Sequence, residues 1–178
     1  MVGGNNFVTG IVAVLVENKV ISNKEACALI QNFGNQSDAT FDEFILSEGL
    51  VSKEDLLNAL SEYYQVPAVD VRGYFFDTGL VHSMHKDFLL RYGVLPMEVE
   101  QDIMTVVAAC PDLPGLASKL EEYGSYVIEF RVGLLRDIMD MIREYYDEPI
   151  LTVPDMCGEA AEELIEEDEL DLLPYEII

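Results

Sequence analysis

Two histidines have the spacing closest to that of a metal site. His82 and His85 lie three positions apart in "GLVHSMHKDF", a spacing at which two imidazoles can share one ion. Asp87 is the only carboxylate beside them, and the segment has no third soft ligand. A zinc site needs three or four protein ligands, so we interpret both histidines as helix-start or loop residues. No metal site is predicted.

The three cysteines are scattered along the chain. Cys27, Cys110 and Cys157 form no CxxC pair, and two of them lie within apolar runs. This pattern favours buried thiols in a reducing compartment over a zinc or disulfide site. The cysteines therefore predict a cytoplasmic chain without a structural metal.

Residues for catalysis are missing from the sequence. No GxxxxGK[ST] segment is present to cradle a phosphate, and Gly3-Gly4 and Gly115 are isolated. There is no nucleophile-elbow motif and no defensible pairing of a cysteine with a histidine. We therefore predict no catalytic residues, no cofactor and no enzymatic activity.

The charge of the chain excludes several classes of partner. Its 178 residues include 34 acidic and 10 basic side chains, which gives a net charge of −24. Phosphate contacts depend on lysine and arginine, so nucleic acid and an anionic membrane surface are poor partners. The apolar "FVTGIVAVLV" is too short to span a membrane and lacks the basic flank of a signal peptide.

The acidic residues are concentrated at the end of the chain. Residues 147–178 hold twelve acidic and no basic residues, together with Pro149, Pro154 and Pro174. We interpret this region as an acidic tail. Within it, "GEAAEELIEEDELDLL" is either an amphipathic helix or a solvated linker.

The helical part of the chain is predicted to span residues 1–66 and to contain a duplicated unit. Four segments show apolar residues at helical spacing. Ser22 and Ser52 are candidate N-caps, each followed three positions later by an acid, Glu25 or Asp55. Aligning these serines pairs "VIS" at Val20 with "LVS" at residue 50. Two helix–turn–helix repeats are therefore expected.

Residues 67–146 change to a mixed pattern of strands and helices. "PAVDV" is predicted to be a short strand, and "GVLPMEVEQDIMTVVAAC" a β-hairpin that turns near Gln101. A helix in "LPGLASKLEEYG", a strand in "SYVIEFRV" and a closing helix in "GLLRDIMDMIREYYDE" follow. The chain is thus predicted to be α+β, with a small three-stranded sheet behind the helical repeats.

One capped helix and the segment after it carry a family resemblance. The residues concerned are Gly49, Leu50, Val51, Ser52, Leu56, Ala59, Leu60, Pro67, Val69 and Asp70. With "LLRYGVLPMEVEQDIMTVVAACPD" and "LLRDIMDMIREYY", they resemble the MshEN domain, the N-terminal domain of the assembly ATPases of type II secretion and type IV pili. The resemblance covers roughly residues 7–148. It implies a non-catalytic module, since the ATPase of this family belongs to a later domain.

The resemblance also implies where a ligand would bind. Some members bind cyclic di-GMP through two units that each open with Arg-Leu-Gly and close with glutamine. In this chain the units open at Gly10–Val12 and Thr40–Asp42 and close at Phe33 and Tyr63. Lys19 also replaces an internal glycine. Because both arginines are missing and Asp42 would repel a phosphate, cyclic di-GMP is not expected as a ligand.

Five positions of the degenerate nucleotide groove remain recognisable. They are Leu15, Val16, Ile45, Leu46 and Gly49. The apolar members are equally what a pair of helices needs for its own core, so we favour packing over ligand binding.

Two functions stay open, with an orphan enzyme fragment as a weaker third. The first is a non-catalytic module that docks a basic protein partner, such as the cytoplasmic domain of a membrane platform protein. The alternative is a degenerate sensor for cyclic di-GMP or another small ligand.

Overall fold

A computed structural model of the chain describes residues 3–34 and 40–146. The predicted acidic tail, residues 147–178, lies outside these ranges. Among the described helices, none combines the length and the apolar character that crossing a membrane would require.

Four helices form the first part of the fold, as predicted. They are α1 (Gly3–Glu17), α2 (Asn23–Phe33), α3 (Phe41–Ser47) and α4 (Lys53–Tyr64). Ser22 caps α2 by accepting the Glu25 N–H at 3.3 Å, and its own N–H donates to the Glu25 carboxylate at 2.8 Å. Ser52 caps α4 in the same way by accepting the Asp55 N–H at 3.1 Å. Both caps satisfy N–H groups that the first turn would otherwise leave free.

The turn between the helices is repeated in both units. Lys19 and Gly49 each lie two residues after the end of the first helix of their unit, and both adopt left-handed backbone, with φ of 59° and 69°. The next apolar residues, Ile21 and Val51, are each 5% exposed. The same turn therefore leads into the same cap twice, which confirms the predicted pair of helix–turn–helix repeats.

The second part contains a three-stranded sheet with helices packed on it. After a 3-10 turn at Val71–Gly73, its elements are α5 (Thr78–His82), α6 (Lys86–Tyr92), β1 (Val94–Glu100), β2 (Ile103–Ala108), α7 (Leu116–Glu121), β3 (Val127–Val132) and α8 (Leu135–Tyr145). The strand order is β1-β2-β3, with β1 antiparallel and β3 parallel to β2. The hairpin turns at Gln101, where φ is 55°. The predicted α+β class is confirmed.

The segment "PAVDV" differs from its prediction as a strand. It makes one isolated bridge, Ala68 to Val132, in which the Val69 N–H donates to the Val132 carbonyl at 2.9 Å. Asp70 then accepts the Arg72 N–H at 3.1 Å, and this bond starts the 3-10 turn. The chain leaves the sheet edge at that point because the Asp70 side chain supplies the backbone with a local partner.

Two hydrophobic cores lie side by side in the fold. One is formed by α1–α4 and includes Leu15, Leu29 and Phe44, each at most 1% exposed. The other lies between the sheet and helices α5–α8. Val132, the last residue of β3, and Leu134, which precedes α8, are also buried in the helical core. The division of the chain at residues 66 and 146 remains a prediction.

A network of charged side chains joins the two parts of the fold. Asp137 at the start of α8 accepts from Lys53 Nζ at 2.7 Å and from Arg72 Nε at 2.5 Å. Lys53 belongs to α4, and its Nζ also lies 2.6 Å from Asp70 Oδ1. Burial alone would lower the pKa of Lys53. The bonds to Asp137 and Asp70 have the larger combined effect, so the pKa of Lys53 is raised. The second helical unit is thus tied electrostatically to α8.

The two cysteines within the described residues differ from the predicted buried thiols in exposure or in bonding. Cys27 is exposed and free, whereas Cys110 is buried and disulfide-bonded. The prediction of buried thiols is therefore wrong for both of them.

Candidate ligand site in the paired helical units

The residue that closes each helical unit contacts the residues that open the other unit. A Cβ atom added to Gly10, which opens the first unit, would lie 2.3 Å from Cε2 of Tyr63, which closes the second. In the reciprocal contact, the Phe33 ring closes the first unit and lies 5.3 Å from the Phe41 ring of the second. Phe7 joins the two sets, with ring centroids 5.9 Å from Phe41 and 5.7 Å from Tyr63. The positions that correspond to the family's motif residues are thus in mutual contact.

The five predicted groove residues occupy different environments. Leu15 and Ile45 are completely buried in the helical core, so their side chains cannot reach a ligand without rearrangement. Val16 and Leu46 are half-buried, and Gly49 is exposed. Each unit therefore contributes one buried residue and one accessible residue at equivalent positions. Their role in ligand binding remains a prediction.

An open groove of about 480 Å³ lies at the turn of the first unit. Its lining residues are Val16, Lys19, Val20, Ile21, Ser22, Asn23 and Glu25. Lys19 is the residue that replaces the family's glycine, and it keeps the left-handed backbone that a non-glycine residue seldom adopts. This exposed cation therefore lies beside apolar residues, two neutral polar side chains and one carboxylate, that of Glu25. The sequence showed the substitution, but only the backbone geometry places Lys19 on a groove.

Asp42 is engaged within the protein, although we expected its charge to repel a ligand. Its carboxylate accepts the Arg136 N–H at 3.2 Å and the Glu43 N–H at 3.0 Å, and it also bonds to the Thr40 hydroxyl. The residue is half-buried, and desolvation of the carboxyl group raises its pKa. Asp42 therefore connects α3 to the start of α8.

A small apolar cavity lies next to Asp42, between the helical units and α8. It encloses about 30 Å³ and is lined by Phe7, Phe41, Leu60 and Leu134, among others. That volume suits about one water molecule. It is too small for a nucleotide, so the exposed groove is the better candidate for a ligand.

The two histidines are separated by packing. His82 Nδ1 lies 2.8 Å from the Thr78 carbonyl, and its ring packs on Tyr146 with centroids 4.8 Å apart. The ring of His85, the residue that precedes α6, lies against Tyr123. In residues 3–34 and 40–146, no group of three or more potential ligands is arranged to hold a metal ion.

The contact of Gly10 with Tyr63 makes a testable prediction. Gly10→Arg should lower the free energy of unfolding by about 1–3 kcal/mol, because the added side chain overpacks against the tyrosine ring. Combining it with Tyr63→Gln should cost less than the sum of the two single changes, as measured by urea denaturation. Gly34→Arg is the control, since a Cβ there meets nothing closer than 3.5 Å. Strictly additive losses would show that the two positions do not interact.

The paired units and the three-stranded sheet define a class of α+β domain with two adjoining cores. Residues 64–150 match the family model of the MshEN domain, which confirms the predicted resemblance. The structure of MshE with cdg has a TM-score of 0.61 and 21% identity, covering 76% of this chain and 98% of that one. The N-terminal domain of XpsE has a TM-score of 0.52 and 22% identity, covering 76% and 92%. No curated protein matches the chain.

One prediction from the sequence requires correction. We expected cyclic di-GMP not to be a ligand, because both motif arginines are absent. That exclusion is wrong, since MshE shares this fold and its structure was solved with cdg, cyclic di-GMP. The exclusion rested on the missing arginines and on the charge of Asp42. It gave no weight to the Lys19 ammonium, which lines an open groove at the first turn.

Proposed function

We propose that this chain is a non-catalytic, cytoplasmic regulatory module that binds cyclic di-GMP or a related anionic nucleotide through its helical units. The groove at the first turn is the observation that carries the proposal. It combines an exposed lysine with apolar and hydrogen-bonding side chains. The likeness of the fold to MshE, solved with cdg, supports the choice of ligand.

The groove has the chemistry that a nucleotide requires. Val16 and Val20 offer an apolar surface for one face of a base, and Lys19 offers a point charge for a phosphate. Asn23 adds a side-chain amide at the start of α2, whereas the Ser22 hydroxyl is engaged in the cap with Glu25. Glu25 is held by its bonds to Ser22, which also lower the pKa of Glu25 and keep this acid within the cap.

A regulatory role needs a connection from the groove to the rest of the fold. The two units contact each other at Gly10 and Tyr63, and the second unit is bonded to α8 through Asp42 and Lys53. Ordering of the units by a ligand would therefore bias the position of α8 and of the sheet packed on it. In this proposal the domain reports ligand binding through that connection.

Calorimetric titration of the whole chain with cyclic di-GMP tests the proposal. We expect saturable binding with a dissociation constant in the micromolar range, which corresponds to about −8 kcal/mol. Lys19→Ala should weaken binding about tenfold or more. Lys24→Ala removes the same charge from an exposed position outside the groove and should have little effect. No heat from wild type, or equal losses in both variants, would contradict the proposal.

Docking of a protein partner is a second candidate function. The net charge of −24 favours it, because such a surface attracts basic proteins and repels acidic ones. Docking and ligand binding are compatible in one regulatory module.

A further inference from the structure

Phe75 is the most exposed large apolar side chain among the described residues. It is 98% exposed and lies in the segment between the 3-10 turn and α5. Its neighbour Tyr74 packs on Phe76, with ring centroids 4.9 Å apart, and Phe76 is buried. The backbone around Phe75 is thus anchored on both sides while its ring faces solvent. A protein-binding surface needs such a ring together with adjoining apolar surface.

Two grooves flank the Phe75 ring. The first has a volume of about 540 Å³ and is lined by Met97 and Val99 of β1, by Leu80 and by Tyr126. The second has a volume of about 490 Å³ and lies against Met141 and Tyr145 of α8. Phe75 and Tyr74 line both grooves. We call this continuous region the Phe75 surface.

Strand β1 borders the first groove and is an edge strand of the described sheet. Only β2 pairs with it, because the strand order is β1-β2-β3. Val99 near its end is 36% exposed. An extended segment placed in this groove could therefore lie alongside the strand while its apolar side chains contact Phe75 and Val99.

The charges around the Phe75 surface select a cationic occupant. Asp77 and Glu98 line the first groove, and Glu144 lines the second. Arg72 is the only basic residue that lines either groove, and its guanidinium is bonded to Asp137 at 2.5 Å and to Asp140 at 3.0 Å. Among the residues that line the two grooves, three acids therefore surround an apolar centre, and the one base is bonded to acids of α8.

The same charges argue against occupants that this chain could supply. A second copy carries a net charge of −24, and residues 147–178 contain twelve acids and no base. Either one would bring like charges against Asp77, Glu98 and Glu144. A basic partner would gain from the same groups.

We propose that the Phe75 surface docks a segment of a partner protein in which apolar side chains are flanked by lysine or arginine. The apolar side chains pack against Phe75 and enter the two grooves, and the flanking cations pair with the acids on their rims. This assignment rests on the docking role proposed above and adds the site and the chemistry of the partner.

Synthetic peptides added to the full chain test this surface by fluorescence anisotropy. The probe peptide has two leucines flanked on both sides by lysines. One control peptide has serines in place of the leucines, and another has glutamates in place of the lysines. We expect the probe to bind at low salt, Phe75→Ser to weaken it about tenfold, and both control peptides to bind less tightly to wild type than the probe does. Leu50→Ser, at a residue 41% exposed in the helical part, should leave the affinity unchanged.

The outcomes separate failure of the surface from failure of the docking role. Probe binding that is equal in wild type and Phe75→Ser would overturn the assignment of the surface while leaving a docking role intact. No binding of the probe to wild type would overturn both. If Phe75→Ser reduced the affinity for the probe and for the serine peptide equally, the assignment of the surface would also be overturned, because the effect would then not depend on apolar contact.

Discussion

Replacing Leu15 by alanine should lower the free energy of unfolding by about 2–5 kcal/mol, and Ile45→Ala should do the same. The two residues occupy equivalent positions in the helical units, and both are completely buried. Each change removes packed methyl groups and leaves a cavity that rigid neighbours fill only in part. Chemical denaturation with urea measures both losses.

The accessible partners of these residues provide the matched comparison. Val16 and Leu46 directly follow Leu15 and Ile45 but are only half-buried. Val16→Ala and Leu46→Ala should therefore cost about 1 kcal/mol or less, while Val16→Ala should weaken cyclic di-GMP binding through the groove it lines. If all four variants lost the same stability, the division into packing and ligand-facing residues would be wrong.

Asp137→Ala should lower the free energy of unfolding by about 2 kcal/mol. Its side chain is 10% exposed and accepts from Lys53 and Arg72, which are 32% and 55% exposed. Breaking a fully buried pair costs about 3–5 kcal/mol, but both cations here regain water when the carboxylate is removed, so the expected loss is smaller. The loss should be measured at low and at high salt.

Glu144→Ala is the control for this network. Glu144 also belongs to α8, and replacing it by alanine removes one negative charge, as Asp137→Ala does. Unlike Asp137, Glu144 is exposed. We expect a change within about 0.5 kcal/mol. Equal effects of the two substitutions would show that Asp137 acts only through the net charge and not by joining α4 to α8.

Local signals were sufficient to predict the helical repeats and the hairpin. Ser22 and Ser52 carry caps whose side chains bond within three residues, so their geometry is contained in the sequence around them. The hairpin follows from two apolar runs with a break at Gln101. In α8, Leu135, Ile138, Met139 and Ile142 share the buried face that their spacing predicts.

The sequence did not predict those features that depend on contacts between distant parts of the chain or on very short elements. Helices α5 and α6 contain five and seven residues, too few for a helical period to be read from the sequence. "PAVDV" has strand-forming residues, but the Asp70 side chain turns the chain after one bridge. The candidate groove was missed because the position of Lys19 depends on the turn that precedes α2, and the contact of Gly10 with Tyr63 joins distant parts of the chain.

Amide chemical shifts measured during titration of the full chain with cyclic di-GMP test the central claim, that the helical units form the ligand site. We expect changes concentrated in residues 16–25, with smaller ones near Leu46 and Gly49 and at the start of α8, where the second unit is bonded to Arg136. We expect little change in β1 and β2. Shifts centred on Phe75 or on the sheet, or no shifts at saturating ligand, would contradict it.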